Sequence, residues 1–288
     1  MFSASTDYYR AGSVAEAVGL LEKHDGARLL AGGHSLIPLM KLRLAEPTAL
    51  IDIGHVSALK GIESSGGTLT IGALTPHAEV ASSEAVRQAS PILAEAAAMI
   101  GDPQVRNRGT IGGNVAHADP ASDLPTVLTA LGATFKATGP GGERSIPAAG
   151  FFQGLMSTAL AANEVLTSVE IPASGSGQGS AYAKFSHPAS RYAVIGAAAI
   201  ITVSGGKCTA ASVVLGGLVA SPARAAFVEA ALTGNALDED TIASAAANAS
   251  DDLGNDVIGD VYASAEYRRS VASVYVGRAI TAAAGRTG

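Results

Sequence analysis

Arg106-Asn-Arg-Gly-Thr-Ile-Gly-Gly-Asn-Val-Ala-His-Ala-Asp-Pro-Ala-Ser-Asp-Leu-Pro125 is the stretch from which the chain is best read. In it, a tight Thr110-Ile111-Gly112-Gly113-Asn114 turn is followed by two carboxylates, Asp119 and Asp123. Adjacent glycines let backbone approach a ligand and turn N–H groups toward an anion. The Asp/Ser tail with its two prolines favours a shaped loop over a regular element. A counterpart, Ala31-Gly32-Gly33-His34-Ser35, lies between an apolar run and a helical pattern. Two separate glycine turns are therefore expected to hold one large phosphate-bearing cofactor.

Working outward, the N-terminal side reads as a small βαβ unit. Ser13 and Glu16 fit a capping box, and Val14, Ala17, Val18 and Leu21 share a helical face. Arg28 to Ala31 is a short strand broken by Gly32-Gly33. Ser35 then caps a helix whose apolar face is Leu36, Leu39, Met40 and Leu44, and Leu50 to Ile53 is a second buried strand. From Val56 onward short strands and helices alternate. Thr68 to Ile71 reads as a strand, Thr75-Pro76 opens a helix, and Pro91 to Ile100 is an alanine-rich amphipathic helix. Beyond the glycine stretch come a helix from Thr126 to Leu131 and a strand from Ala133 to Thr138. A Gly139-Pro140-Gly141-Gly142 hairpin turn into Arg144-Ser145-Ile146 follows, and a strand from Val165 to Ile171 ends the unit.

The small, polar run from Pro172 to Ser180 marks a boundary. After it, Tyr182–Phe185, Ala193–Val203 and Thr209–Leu218 read as strands. Helical patterns follow near Ala223–Leu232, Glu239–Ala249 and Ser264–Ala284, the last with an apolar stripe of Tyr267, Val271, Val274 and Ile280. Runs of strands followed by helices give an α+β class in three units, 1–55, 56–175 and 176–288. The third unit is expected to be a three-stranded antiparallel sheet with a helical bundle.

Composition limits the function. With 48% hydrophobic and 15% charged residues over 288 positions, the chain can bury sizeable cores, and its net charge is −6. No basic block or recognition helix points to nucleic acid. Cys208 is the sole cysteine, which excludes an intrachain disulfide and any iron–sulfur cluster or cysteine zinc site built by this chain alone. It reads as a small buried residue. The N-terminus lacks a basic region followed by an apolar core, and Ala193–Val203 is too short to span a bilayer, so a cytoplasmic protein is expected. His24, His55, His77, His117 and His187 are scattered without metal-ligand spacing, so no metal site is expected. His34 and His117 stand beside the glycine stretches. Neither a GxGxxG nor a Walker A pattern is present.

Several segments together carry a resemblance: Ala31–Ser35, Asp102-Pro103-Gln104-Val105-Arg106-Asn107, Thr110–Asn114 and Asp119–Pro125. With them go Phe151-Phe152-Gln153-Gly154, Glu164–Pro172, Tyr182-Ala183-Lys184-Phe185 and Arg191-Tyr192-Ala193. The chain resembles the FAD-binding medium subunits of molybdenum hydroxylases, the carbon monoxide dehydrogenase and xanthine dehydrogenase family, over its whole length. The resemblance implies a two-subdomain, PCMH-like FAD-binding fold followed by the C-terminal domain. By position it implies that Ala31, Gly32, Gly33, His34 and Ser35, and Thr110, Ile111, Gly112, Gly113 and Asn114, embrace FAD. Leu29, Leu30 and Leu36 flank the first turn, Asp123 meets a cofactor hydroxyl, and Asp119 supports the loop. Leu166 and Lys184 give flanking contacts, and Tyr192 covers the isoalloxazine.

The implied function is electron transfer, with no catalytic residue of substrate oxidation on this chain. A large molybdopterin-binding subunit would carry the molybdenum cofactor, and a small iron–sulfur subunit two [2Fe–2S] clusters. The whole would form a dimer of heterotrimers delivering electrons to an external acceptor. Ser190-Arg191-Tyr192 departs from the Gly-Asp-Tyr of carbon monoxide dehydrogenase medium subunits and looks closer to the heterocycle- or aldehyde-oxidising branch. The lone cysteine excludes the benzoyl-CoA-type branch. The competing readings are a stand-alone flavin oxidoreductase and a flavin-free scaffold subunit.

Overall fold

A computed structural model describes residues 2–288. In the first unit, β1 (Asp7–Arg10), α1 (Val14–Lys23), β2 (Arg28–Leu30), α2 (Leu36–Lys41) and β3 (Ala49–Asp52) form a parallel sheet of order β1-β3-β2. Ser13 caps α1 by accepting from the Glu16 N–H, and the Glu16 carboxylate accepts from the Gly12 N–H. The buried face of α1 is Ala17, Val18 and Leu21, packed against Ile51, Ile53, Leu59 and Leu74. β1 is a strand beyond the two expected of this unit. The second helix, expected to reach Leu44, stops at Lys41, and Arg43 takes a left-handed φ of 58°.

The second unit is an antiparallel sheet of order β4-β5-β10-β6-β7 with helices on one face. Its strands begin with β4 (Ile62–Ser65) and β5 (Thr68–Gly72). Six short helices follow: α3 (His77–Ser82), α4 (Glu84–Ala89), α5 (Pro91–Met99), α6 (Pro103–Arg108), α7 (Ile111–His117) and α8 (Asp123–Ala130). The expected hairpin is β6 (Thr134–Gly139) with β7 (Gly142–Pro147). After α9 (Ala148–Phe151), β8 (Phe152–Gly154) pairs with β9 (Ser157–Thr158), and β10 (Val165–Pro172) returns to the sheet centre. Phe135 and Phe151 pack with ring centroids 4.3 Å apart, fully buried. Burying a side chain of that size contributes roughly 1.5–3 kcal/mol.

Arg106–Pro125 is therefore mostly helical: the expected tight turn at Thr110–Asn114 is the start of α7, and the loop expected of the tail is confined to the residues before α8. Thr110 caps α7 by accepting from the Gly113 N–H at 3.1 Å, and Ile111 and Val115 are fully buried beneath it. Low glycine propensity is overridden by this cap and by packing. The irregular piece is only Ala118–Ser122, where Asp119 accepts from the Ala121 N–H, as expected of a loop support.

The third unit is a four-stranded antiparallel sheet, β11 (Gln178–Ser186), β12 (Ala193–Ser204), β13 (Lys207–Gly216) and the two-residue β14 (Ala223–Arg224). Here β14 takes the first residues that the sequence reading gave to a helix, and β11 begins inside the expected linker. Four helices cover one face: α10 (Ala226–Leu232), α11 (Glu239–Ala247), α12 (Ala249–Asp252) and α13 (Ala265–Ala284). The other face packs on α5 and α8: Tyr182, Ala198, Ile200 and Val214 join the core of the second unit. This explains why α5 is buried nearly all round instead of along one stripe.

The stripe expected on α13 is packed only in part: Ile280 is buried and Val271 packs against the core. Tyr267 and Val274 are exposed, while Ala272, Val276, Ala279, Ile280 and Ala283 are buried. Small residues let the helix lie directly on β11, where a Cβ on Gly179 would overlap the carbonyl oxygen of Ala283. Arg268 is buried on the same face because its guanidinium serves the carbonyls of Val194, Gly217 and Ala263 and pairs with Asp260.

Candidate functional site

A cavity of about 680 Å³ opens between the first two units, with the Ser190–Tyr192 loop of the third unit at its edge. The volume falls in the range of small-molecule and cofactor sites, about 300–1,000 Å³. Every nominated residue except Ile111 and Lys184 lines it. Ile111 is fully buried in the core, and Lys184 stands behind Asp123.

The two glycine stretches touch. A Cβ on Gly32 would overlap the carbonyl oxygen of Arg108, so only glycine lets the first stretch close on the second. Gly33 holds a φ of 74°, a region that L side chains rarely adopt. Among the described residues, the backbone N–H groups from Gly32 to Leu36 meet no protein acceptor, although the carbonyls of Gly33 and Ser35 accept from Ile37 and Leu39. A run of free N–H groups on a cavity wall is an anion-binding arrangement.

The second stretch is closed. The N–H of Ile111 donates to Thr75 O (3.0 Å), that of Gly112 to Ala73 O (2.9 Å) and that of Gly113 to Thr110 Oγ1. The expectation that both turns expose N–H donors therefore holds only for the first. Gly112 is a packing glycine: a Cβ there would lie 2.7 Å from the Ala73 carbonyl oxygen. Gly113 lies against Ala31: a Cβ there would be 3.8 Å from the alanine methyl and 2.8 Å from Thr110 Oγ1.

Asp123, Lys184 and Tyr182 form a buried cluster at the back of the site. Lys184 Nζ lies 2.7 Å from Asp123 Oδ2, and the Tyr182 hydroxyl donates to Oδ1 at 2.7 Å. Burial raises the Asp123 pKa, opposed by Lys184 and by the hydrogen bonds from Lys184 and Tyr182. Burial, and then the neighbouring Asp123, push the Tyr182 hydroxyl well above the usual tyrosine range. A carboxylate has about four lone-pair sites, so Asp123 keeps acceptor capacity toward the cavity.

The Tyr192 loop is tightly folded. His187 N–H donates to Tyr192 O, Arg191 N–H to His187 O, and Arg191 takes a φ of 59°. Ala193 N–H donates to Ala121 O, tying this loop to the one that Asp119 supports. Burial, with Asp119 and Asp123 nearby, raises the Tyr192 pKa. His34 and His117 also line the cavity. So does His77, which the sequence reading had left among the scattered histidines; no spacing rule singles it out, because only the fold brings it to Gly109. Cys208 is buried and free, as expected. Among the described residues, no group of three or more His, Cys, Asp or Glu side chains could hold a metal ion.

These features, a divided glycine grip and a third unit closing one edge, match a known architecture along the chain. Residues 2–174 match the family model of the FAD binding domain in molybdopterin dehydrogenase, and residues 180–283 that of the CO dehydrogenase flavoprotein C-terminal domain. The chain belongs to this family of flavoprotein subunits of molybdenum-containing oxidoreductases. It is 40% identical over 287 residues to the carbon monoxide dehydrogenase medium chain of Afipia carboxidovorans, covering 99% of each chain. It is also 40% identical over 281 residues to the 6-hydroxypseudooxynicotine dehydrogenase complex subunit alpha of Paenarthrobacter nicotinovorans, covering 97% of this chain and 94% of that one. Among solved structures it resembles carbon monoxide dehydrogenase from Hydrogenophaga pseudoflava lacking the Mo-pyranopterin moiety of the molybdenum cofactor. That match has a TM-score of 0.96 and 41% identity, covering 99% of both chains.

The cavity fits the FAD of this family by its own chemistry. Free N–H groups suit a pyrophosphate, Asp123 suits a hydroxyl, and the Tyr192 ring is available to stack on a flat heterocycle.

Proposed function

We propose that this chain is the FAD-binding electron-transfer subunit of a heteromeric molybdenum hydroxylase. It takes electrons from [2Fe–2S] clusters of a small partner subunit and passes them to an external acceptor. The observation that carries this reading is the run of free backbone N–H groups from Gly32 to Leu36, facing a cavity that the Thr110–Asn114 stretch closes on the other side. Bound FAD supplies the chemistry that joins single-electron delivery to an electron-pair acceptor.

The chain's own residues bind and orient. Gly32 to Leu36 neutralise phosphate charge, and Leu29, Leu30 and Leu166 give apolar contact. Asp123, fixed by Lys184 and Tyr182, would accept from a cofactor hydroxyl, and Tyr192 would cover the isoalloxazine. In this reading residues 1–55 and 56–175 are the two FAD-binding subdomains, and 176–288 carries Tyr192. Substrate oxidation belongs to a large molybdopterin-binding partner, in a cytoplasmic dimer of heterotrimers. No helix among the described residues is long and apolar enough to cross a membrane. The nearly equal identity to a carbon monoxide and a 6-hydroxypseudooxynicotine dehydrogenase leaves the substrate to that partner.

The test is to purify the chain alone and with its partner chains. Flavin absorption in the isolated chain, with substrate-driven bleaching only when the partners are present, is the expected outcome. A colourless chain that binds no added FAD would make it a scaffold. Bleaching by an organic substrate without partners would make it a stand-alone flavin enzyme.

A further inference from the structure

His77 stands at the seam where the two glycine stretches meet. It is the first residue of α3, and its N–H donates to Gly109 O at 3.0 Å, next to a β-bridge between Pro76 and Thr110. Its ring presses on Gly109 so closely that a Cβ there would lie 2.9 Å from Cδ2 and 3.0 Å from Nε2. Arg108 and Gly109 in turn abut Gly32, where the run of free N–H groups begins. The side chain is 3% exposed and lines the cavity.

The polar atoms of this ring have no protein partner. Nδ1 is sealed from solvent without a hydrogen bond, and among the described residues no group bonds to Nε2. Burial, reinforced by the charge of His34, lowers the pKa to about 4, so the imidazole is neutral near pH 7 and carries one N–H. A sealed N–H without an acceptor is the less favourable placement, so the proton sits on Nε2. That leaves a residue of the cavity lining with an N–H that nothing in the protein receives.

We propose that His77 is a further binding residue of the cofactor site, giving an Nε2–H hydrogen bond to the phosphate-bearing part of the dinucleotide beside the N–H groups of Gly32 to Leu36. The proposal rests on the reading of the cavity as a dinucleotide site. It accounts for a histidine where a leucine would fill the same space without an orphaned nitrogen. It also gives the seam between the stretches a direct role in holding the ligand.

The test uses the full chain freed of flavin, titrated calorimetrically with FAD, ADP and riboflavin. His77→Leu is expected to weaken FAD and ADP about tenfold or more, as loss of a hydrogen bond to a charged group does. Riboflavin, which has no phosphate, should change less than about twofold. The flavin-free variant should melt no lower than the wild type, because it loses an unpartnered buried nitrogen. His77→Gln, which offers a donor near the Nε2 position, should restore most of the affinity. Unchanged binding of FAD and ADP by His77→Leu would overturn the proposal. So would an equal loss for riboflavin with a lowered melting point, which marks a structural role only. Independently of any variant, nitrogen NMR of the wild-type histidines should find the Nε2–H tautomer of His77, with that resonance shifting on addition of ADP; an Nδ1–H tautomer or no shift would overturn it. If wild-type chain binds neither FAD nor ADP, the dinucleotide site itself fails; if it binds both and the variant does too, only His77 does.

Discussion

Ala31–Ser35 and Thr110–Asn114 carry the same glycine pair to the same cavity and use it in opposite ways. In the first, Gly33 turns through a positive φ, and the N–H groups that follow are left facing the cavity without partners. In the second, Thr75, Ala73 and the Thr110 hydroxyl take up the N–H groups of Ile111, Gly112 and Gly113, and the segment coils into a helix. One stretch leaves its N–H groups without protein acceptors on the cavity wall; the other spends its own on the protein. A glycine pair thus marks a close approach of backbone, and only the surrounding acceptors decide whether what approaches is ligand or protein.

The largest test of that contrast is at Gly112. In Gly112→Val the new Cβ would sit 2.7 Å from the Ala73 carbonyl oxygen, with further methyls to place. Overpacking of this kind should destabilise the flavin-free chain by about 3 kcal/mol in urea unfolding, with cofactor loss as a consequence. A variant as stable as wild type without flavin, yet unable to bind it, would show that Gly112 faces the ligand and would remove the contrast.

The seam between the stretches should respond to acid by a similar or slightly smaller amount. His77 is held neutral down to about pH 4, whereas an unfolded histidine titrates near 6.5. As pH falls through that window the unfolded chain takes up the proton first, so stability declines between about pH 6.5 and pH 4. At 1.36 kcal/mol per unit the loss approaches about 3 kcal/mol. Unfolding free energies at several pH values, compared with those of His77→Leu, isolate this contribution from the carboxylates. The variant should lose most of the slope, and an identical slope would mean that the buried ring is not what keeps the seam.

How far the site could be read beforehand follows from the same contrast. Local signals were strong where the backbone itself is unusual: the Gly32–Gly33 break, the Gly139–Gly142 hairpin and the small polar run before β11 all punctuate the sequence. The nominated residues, apart from Ile111 and Lys184, line the cavity because motif spacing brings whole segments to it. Long-range partners are what the sequence could not display. Nothing near His77 announces that Gly109 will lie against its ring. Nothing near Arg268 announces the three backbone carbonyls that it serves. The helix of α7 was hidden for the same reason, since acceptors on Ala73 and Thr75 sit far from it in sequence.

The smallest expected effect is at the cap that keeps the second stretch closed. Thr110→Ala removes the acceptor of the Gly113 N–H while leaving the backbone bonds to Ala73 and Thr75 in place. Loss of an N-cap hydroxyl typically destabilises by about 1 kcal/mol, and that should be measurable in the flavin-free chain, with Thr110→Ser restoring it. The direction matters more than the size. If the N–H of Gly113 is committed to the protein, removing its cap harms the chain before any cofactor arrives. A flavin-free chain left unchanged would mean that this N–H, like those from Gly32 to Leu36, was waiting for a ligand, and the two stretches would be alike after all.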